Sequence, residues 1–271
     1  MSSVEKSKIT ADGLSPGLQA GPWRDIAEKF SGSWRYRVAL PVQGLLFDLF
    51  RHGQIKMDGC IFQIPKSITG RRLRGSCFDG SYELPERTLI REFVQPEDSV
   101  IELGACLGIV SCVTNARLRD KSRHLVVEAN PRCIPAIHKN RELNGCTFKV
   151  ENCAASSQRE VSLFLDPANL LSTTLKTSSK FPVTVPGCTL SELCRRHGPF
   201  SVLIMDIEGS ELEVLESSAE TLQSFRLIIV ELHDAIIGAN KINRCREILR
   251  QAGLSRVGKS IDTEAWLRME Q

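Results

Sequence analysis

No apolar run in this 271-residue chain approaches the roughly 20 residues a membrane-spanning helix needs. The first residues are polar and lack the apolar core of a secretory leader, so none is expected and the expected compartment is cytoplasmic. Ten cysteines are present, yet no two stand at C-x-x-C spacing. Without a metal-ligand pattern they read as buried, reduced thiols. An excess of one charge sign is also missing: 35 Lys and Arg face 32 Asp and Glu. That balance argues against a dedicated nucleic-acid binder. The local basic run Arg71, Arg72 and Arg74 reads as a solvated face or a patch that steers an anionic acceptor. The G-x-G-x-x-G fingerprint is absent as well, which counts against a nicotinamide-dependent dehydrogenase.

What is present is an α/β pattern. Residues 1–21 are rich in Ser and Gly without periodicity and read as a flexible tail. Residues 22–81 hold Trp23, Trp34, a short helical run at Val42–Phe50 and short strands punctuated by Gly and Pro. They read as an N-terminal helical and hairpin extension that caps the substrate or mediates oligomerisation. Residues 82–271 form the main domain. From Ser99 onward, apolar runs alternate with helical ones: VIELGA, HLVVEA, SVLIMDIEG and RLIIVELH each precede a helix-compatible segment. FKVENCAA leads into a polar interlude, Ser156–Lys180, with the strand-like VSLFL before VTVPG and the next helix. Wholly apolar strands between helices imply a mostly parallel sheet covered on both faces. Thr189 is an expected helix N-cap for LSELCRRH.

The segment Val100–Ser111, VIELGACLGIVS, has the order strand, glycine turn, helix N-terminus. Gly104 and Gly108 would let the backbone come close to a nucleotide-like ligand, and free helix N–H groups would offer donors. Glu102 stands where a pyrophosphate site carries glycine. An acid there repels pyrophosphate and suits a cationic amino-acid tail such as that of S-adenosylmethionine. In an open α/β sheet, ligands bind beyond the carboxyl ends of the strands. Glu128, with Asn130, ends the second strand, where a carboxylate can accept both ribose hydroxyls. Asn152 and Ala154 close the third strand, where an adenine would lie. Two later strands end in Asp206 with Glu208, and in Glu231 with His233. If those strands are neighbours, three acids and an imidazole converge. Such a cluster implies a bound cation, a basic group, or a carboxyl acting as proton acceptor. Helix capping also explains acids at Asp206 and Glu208, and His233 also suits an ordinary loop histidine.

Taken in order, VIELGACLGIVS, VVEANPRC with KNRELNG, ENCAAS, and MDIEGSELEVL followed by IIVELH resemble the FkbM family of S-adenosylmethionine-dependent methyltransferases. The resemblance spans roughly Tyr82 to Leu254. It implies a Rossmann-like class I methyltransferase fold, a seven-stranded and mostly parallel sheet, and O-methylation of a sugar, glycolipid or polyketide-type hydroxyl. It places the cofactor at Glu102, Gly104, Ala105, Cys106, Gly108, Glu128 and Asn130, and the substrate side at Asp206, Glu208, Glu231 and His233. Cys106 replaces the family's usual Asn, so that residue's side-chain hydrogen bond near the cofactor methionine does not carry over. Ile204 stands where a lysine is common, so neither does any part that lysine plays.

The expected mechanism has His233 as general base, oriented by Glu231 or Asp206, with Glu208 holding the substrate. A variant places Mg²⁺ on Asp206, Glu208 and Glu231 to lower the hydroxyl pKa. Ser172, Thr173 and Thr174 could hydrogen-bond a polyhydroxyl acceptor. A non-catalytic methyltransferase-like module and an N- or C-directed acceptor are the competing readings.

Overall fold

Strands whose residues are all apolar need cover on both faces, and the centre of the molecule is built that way. The computed structural model describes residues 34–165, 173–174 and 182–269; the 1–21 tail, Trp23 and Ser172 lie outside them. The chain begins with helix α1 (Leu40–Phe50), the hairpin β1 (Gln54–Met57) and β2 (Cys60–Gln63), and helices α2 (Arg71–Phe78) and α3 (Leu84–Phe93). Then come β3 (Val100–Leu103), α4 (Ile109–Arg117), β4 (His124–Val127), α5 (Ile134–Leu143) and β5 (Lys149–Glu151). Four strands follow: β6 (Ala154–Ala155), β7 (Glu160–Leu165), β8 (Thr173–Thr174) and β9 (Pro182–Cys188). The last part holds α6 (Leu190–His197), β10 (Val202–Met205), α7 (Glu211–Ser217), α8 (Ala219–Leu222) and β11 (Leu227–Glu231). It closes with α9 (Asp234–Ile237), α10 (Ala239–Gln251), β12 (Leu254–Ser260) and β13 (Thr263–Arg268).

Seven strands form the main sheet in the order β12-β13-β11-β10-β3-β4-β5. Only β13 runs against its neighbours; the other pairs are parallel. This is the Rossmann-like class I methyltransferase fold. The chain lays β3, β4 and β5 outward in one direction and returns to add β10 and β11 on the other side of β3, so the switch of strand order falls between β3 and β10. Side chains alternate across the sheet. Ile101, Leu103, Leu203 and Met205 pack against α6, α7 and α10, whereas Val100, Val202 and Ile204 pack against α3 and α4. Thr189 closes a capping box with Glu192 at the start of α6, each side chain bonding the other's backbone N–H.

The N-terminal segment shares a core with the sheet. Phe47, Phe62 and Cys77 lie in one buried cluster with Leu107, Ile137 and Phe148. Two amides, Asn140 on α5 and Asn144 just past its end, act as a substitute strand for the edge of β2. Asn144 pairs with both the N–H and C=O of Ile61 at 2.8 Å. Asn140 accepts from Gln63 N at 2.7 Å and donates to the carbonyls of Gln63 and Leu107. These two residues of KNRELNG therefore tie the extension to the domain. The basic run divides along the α2 helix: Arg71 and Arg72 are exposed, but Arg74 is buried and clamps Asp48 at 2.7 and 3.0 Å. Arg74 is thus a packing residue and not part of a solvated patch. A four-stranded sheet, β6-β9-β7-β8, contributes Ala154, Ala155, Val161 and Leu163 to the cavity wall of the candidate site.

Candidate functional site

A cavity of about 310 Å³ opens at the carboxyl ends of β3, β4 and β10. Its floor is the turn after β3. Gly104 has φ +87°, Cys106 +51° and Gly108 +73°, a run of left-handed residues that swings the chain from strand to helix. The need for glycine at 104 is a contact within the protein: a Cβ there would lie 1.6 Å from the Asp206 carbonyl oxygen. The close approach expected toward a ligand is in fact the seam that brings the ends of β3 and β10 together. Non-glycine residues in the left-handed region cluster on this wall, with Glu83 at φ +50° and Glu208 at +54° beside Cys106. Strain of this kind persists where surrounding structure holds it.

Glu128 organises the turn. One carboxylate oxygen accepts from the N–H groups of Ala105 (3.0 Å) and Cys106 (2.7 Å), and the other accepts from Asn130 N at 2.7 Å. Burial raises its pKa, and the three N–H donors oppose that rise. Two of the carboxylate's four acceptor sites are filled on the first oxygen and one on the second, so the second keeps a lone pair for a further donor. The Cys106 thiol meets the Tyr82 hydroxyl at 3.0 Å, and burial pushes both of their pKa values well up.

The sequence-expected residues divide. Gly104, Cys106, Glu128, Asn130, Ala154, Asp206 and Glu208 line the cavity. Glu102 does not: its side chain points to the α4 face, accepts from Ser111 Oγ at 2.6 Å and lies 3.3 Å from His124 Nε2. The physical reason is strand parity. Leu103 faces the cavity, so Glu102 faces the opposite side of a sheet buried on both faces. Ala105 contributes its backbone to the turn, and Gly108 packs against Ile137 on α5. Asn152 turns its amide to the carbonyls of Glu128 (2.7 Å) and Ala129 (3.1 Å). Tyr82, Glu83, Ser156, Gln158 and Glu213 also line the cavity. Ser156 and Glu213 lie within the quoted ENCAAS and MDIEGSELEVL segments without having been singled out, and the other three lie outside any such segment. Of the Ser172–Thr174 run, only Thr173 and Thr174 are described, as backbone of β8.

β10 and β11 are parallel neighbours, and the second acidic group converges as their adjacency requires. His233 Nε2 lies 3.5 Å from Asp206 Oδ1, 3.6 Å from Glu208 Oε2 and 3.9 Å from Glu231 Oε1. The residue that holds the ring is one the sequence did not single out for this role. Glu211, fully buried at the start of α7, accepts from His233 Nδ1 at 2.8 Å and from Gly209 N at 3.0 Å. Burial alone would lower the His233 pKa, but the Glu211 hydrogen bond and the charges of Glu211, Glu208 and Glu231 outweigh it and lift it to about 9. Burial and the Asp206 charge raise Glu231 to about 9. Burial, then the Glu208 charge, holds Asp206 well above its usual range. Asp206 Oδ1 and Glu211 Oε2 are buried without a hydrogen-bond partner. One ligand atom each from Asp206, Glu211 and His233 falls within 4.8 Å of the others.

The wall fits a cationic cofactor. Glu83, Glu128, Asp206, Glu208 and Glu213 line the cavity, with no Lys or Arg among its described lining residues. Residues 102–255 match the methyltransferase FkbM domain. The hexuronic acid methyltransferase AglP of Haloferax volcanii is 26% identical over 151 residues, covering 55% of this chain and 61% of that protein. The chain thus spans somewhat less than two thirds of that relative. Among solved structures, precorrin-6y C5,15-methyltransferase from Geobacter metallireducens matches with TM-score 0.44 and 11% identity, over 75% of this chain and 95% of that one. Aeropyrum pernix fibrillarin with bound S-adenosyl-L-methionine matches with TM-score 0.41 and 12% identity, over 67% and 73%.

Proposed function

Since the chain belongs to the FkbM methyltransferase family, a family dependent on S-adenosylmethionine, we propose that it transfers a methyl group to a neutral hydroxyl of a sugar, glycolipid or polyketide-type acceptor. The observation that carries this is the fixed imidazole: Glu211 holds His233 Nδ1 at 2.8 Å, so Nε2 is turned toward Asp206 and Glu208, which line the cavity. S-Adenosylmethionine, when bound, supplies a methyl already activated on a sulfonium. The Glu128 carboxylate, anchored on three backbone N–H groups, has one acceptor site left for a ribose hydroxyl. The acids of the wall favour a positively charged ligand by charge. A hydroxyl is a poor acid, so its proton needs a receiver, and a positioned base contributes roughly 10²–10⁴-fold. His233, once it has released its own proton (its pKa stands at about 9), is that receiver, with Glu231 behind it and Glu208 beside the acceptor. Turnover should therefore rise as pH approaches 9. Glu211 takes the orienting role expected of Glu231 or Asp206.

A sugar-type acceptor draws support from the Haloferax volcanii relative, which acts on a hexuronic acid. The described cavity wall is acidic and would repel a carboxylate, which is why the acceptor proposed here is uncharged. The test is calorimetric titration with S-adenosylmethionine, followed by transfer of labelled methyl to a panel of neutral sugars, uronates and amines. Binding with transfer to neutral hydroxyls supports the reading. Transfer confined to amines overturns the acceptor class, and absence of binding favours a non-catalytic module.

A hard cation is the second reading, favoured by the unpartnered Glu211 Oε2 and the close Asp206–Glu211–His233 atoms. This set replaces the Asp206, Glu208 and Glu231 trio expected from sequence. An imidazole among the ligands suits Mg²⁺ less well than an all-oxygen set. Activity that survives a chelator supports the proton-acceptor reading, and loss restored by a divalent ion supports the cation.

A further inference from the structure

Helix α1 is apolar on two sides, and only one of them is covered. A helix apolar all round normally lies within a core or a membrane. Continuous helical backbone runs from Trp34 through a π-helical turn at Arg35–Ala39 into α1. Phe47 points inward and is fully buried. On the outer side Trp34, Val38, Val42, Leu45 and Leu49 recur at spacings of four, four, three and four, which aligns them in one stripe. Their exposures are 61, 45, 52, 44 and 58%, and Phe50 at the helix end is 70% exposed. Five large apolar side chains facing water in one row, with Phe50 beside its end, are more than the scattered surface residues of an ordinary soluble protein.

The stripe is held rigidly. A Cβ on Gly44 would lie 2.0 Å from the Arg71 carbonyl oxygen, and one on Gly75 would lie 2.0 Å from that of Leu40. Backbone therefore packs on backbone between α1 and α2, and α1 cannot roll its stripe inward without losing that seat.

The charge around the stripe has one sign. Residues 34–82 carry eight Lys or Arg and three Asp or Glu, and each acid is already paired. Asp48 is held by Arg74 and Lys66, Asp79 by Arg35, and Asp58 by Arg87 and Arg91. Arg37 and Arg51 sit on the helix itself. Arg71 and Arg72 stand exposed on the neighbouring turn of α2, with Arg72 stacked on the Tyr36 ring. An apolar stripe with Trp and Phe at its two ends and arginines at its flanks matches the chemistry of a bilayer interface rich in anionic lipid. Two other occupants fit less well. In a two-fold contact the stripe would meet its own copy and set arginine against arginine. The preceding residues 1–33 carry four acids and four bases, so they bring no complementary charge.

We propose that the Trp34–Phe50 helix is a docking surface for an anionic membrane, on which the protein rests without crossing it. No helix among the described residues is long and apolar enough to cross. The inference stands on the helix and its flanking charge, and does not rest on the reading of the cavity. α2 connects the two regions, since it seats α1 on one side and contributes Leu73 to the cavity wall.

The test is flotation of the full chain with vesicles of phosphatidylcholine alone or with roughly one third phosphatidylserine. The proposal expects flotation with the anionic vesicles only, weakened by salt. The pair Leu45→Ser/Leu49→Ser should lower partitioning at least about tenfold, the scale of one buried leucine side chain. The pair Arg37→Glu/Arg71→Glu should lower it in the same direction, and both variants should keep the melting temperature of the parent. No flotation, or flotation unmoved by the stripe pair, overturns the proposal. A dimer that the stripe pair dissolves, in a chain that does not float, overturns it in favour of a second copy.

Discussion

The two sides of the cavity treat their polar groups in opposite ways. At the β3–β4 side the turn is well bonded: both Glu128 oxygens accept backbone N–H groups, and the Asn152 amide donates to two carbonyls. At the β10–β11 side acids crowd one imidazole, and Asp206 Oδ1 and Glu211 Oε2 lack a hydrogen bond. Neighbouring charges add to the raised pKa values of Asp206, Glu231 and His233, whereas at Glu128 the N–H donors oppose the rise. A satisfied turn is a rigid mould that binds. A crowded acidic corner keeps protons that can move, and perturbed groups of that kind gather where chemistry happens. In the proposed function, binding falls to the first side and proton transfer to the second.

The largest effect should come from breaking the seam that joins the two sides. Gly104→Ala forces a Cβ onto the Asp206 carbonyl at a left-handed φ. The expected loss is at least about 3 kcal/mol, read as a fall in the denaturation midpoint together with lost cofactor binding. A midpoint within error of the parent would show that the seam yields. Next, His233→Ala should cut turnover roughly 100-fold or more with the S-adenosylmethionine affinity unchanged. Glu128→Gln should do the reverse, weakening affinity roughly tenfold while turnover at saturation is largely kept. A loss under about tenfold for His233→Ala, or parallel losses for the two variants, would erase the division of labour.

The acidic corner should also mark the pH dependence of stability. The folded state holds protons on His233 and Glu231 up to about pH 9, whereas the unfolded chain releases them near 6.5 and about 4.3. The folded state therefore binds more protons across that window, so stability falls as pH rises toward 9. Melting curves from pH 6 to 9 should show the fall, and His233→Ala should flatten it. The smallest effect is expected at Cys106, which holds φ +51°. Asn tolerates that region better, so Cys106→Asn should gain up to about 1 kcal/mol, or roughly 2–4 °C. A lower melting temperature would show that the Tyr82 contact outweighs the strain.

Much of the scaffold was legible because parallel sheets write themselves as apolar runs between helices, and the Thr189 cap announces itself locally. The convergence of Asp206, Glu208, Glu231 and His233 followed from their positions at the ends of two strands, once those strands proved to be neighbours. Glu102 was misplaced for a physical reason: β3 is buried on both faces, so alternation gives no sign of which side an acid occupies. Glu211 stood in plain view within the family signature, but its partner lies 22 residues onward across a helix and a strand, and no local pattern encodes that contact. The same holds for Asn140 and Asn144, whose service to the edge of β2 spans 77 and 83 residues.

The central claim is that Glu211 and its neighbouring acids hold His233 as a proton store beside the cavity. The direct measurement is the titration of the His233 ring by NMR in the parent chain and in Glu211→Gln. The account predicts an apparent pKa of about 9 in the parent, falling toward the ordinary value near 6.5 in the variant. A parent value near 6.5, or one that Glu211→Gln leaves unmoved, would contradict it.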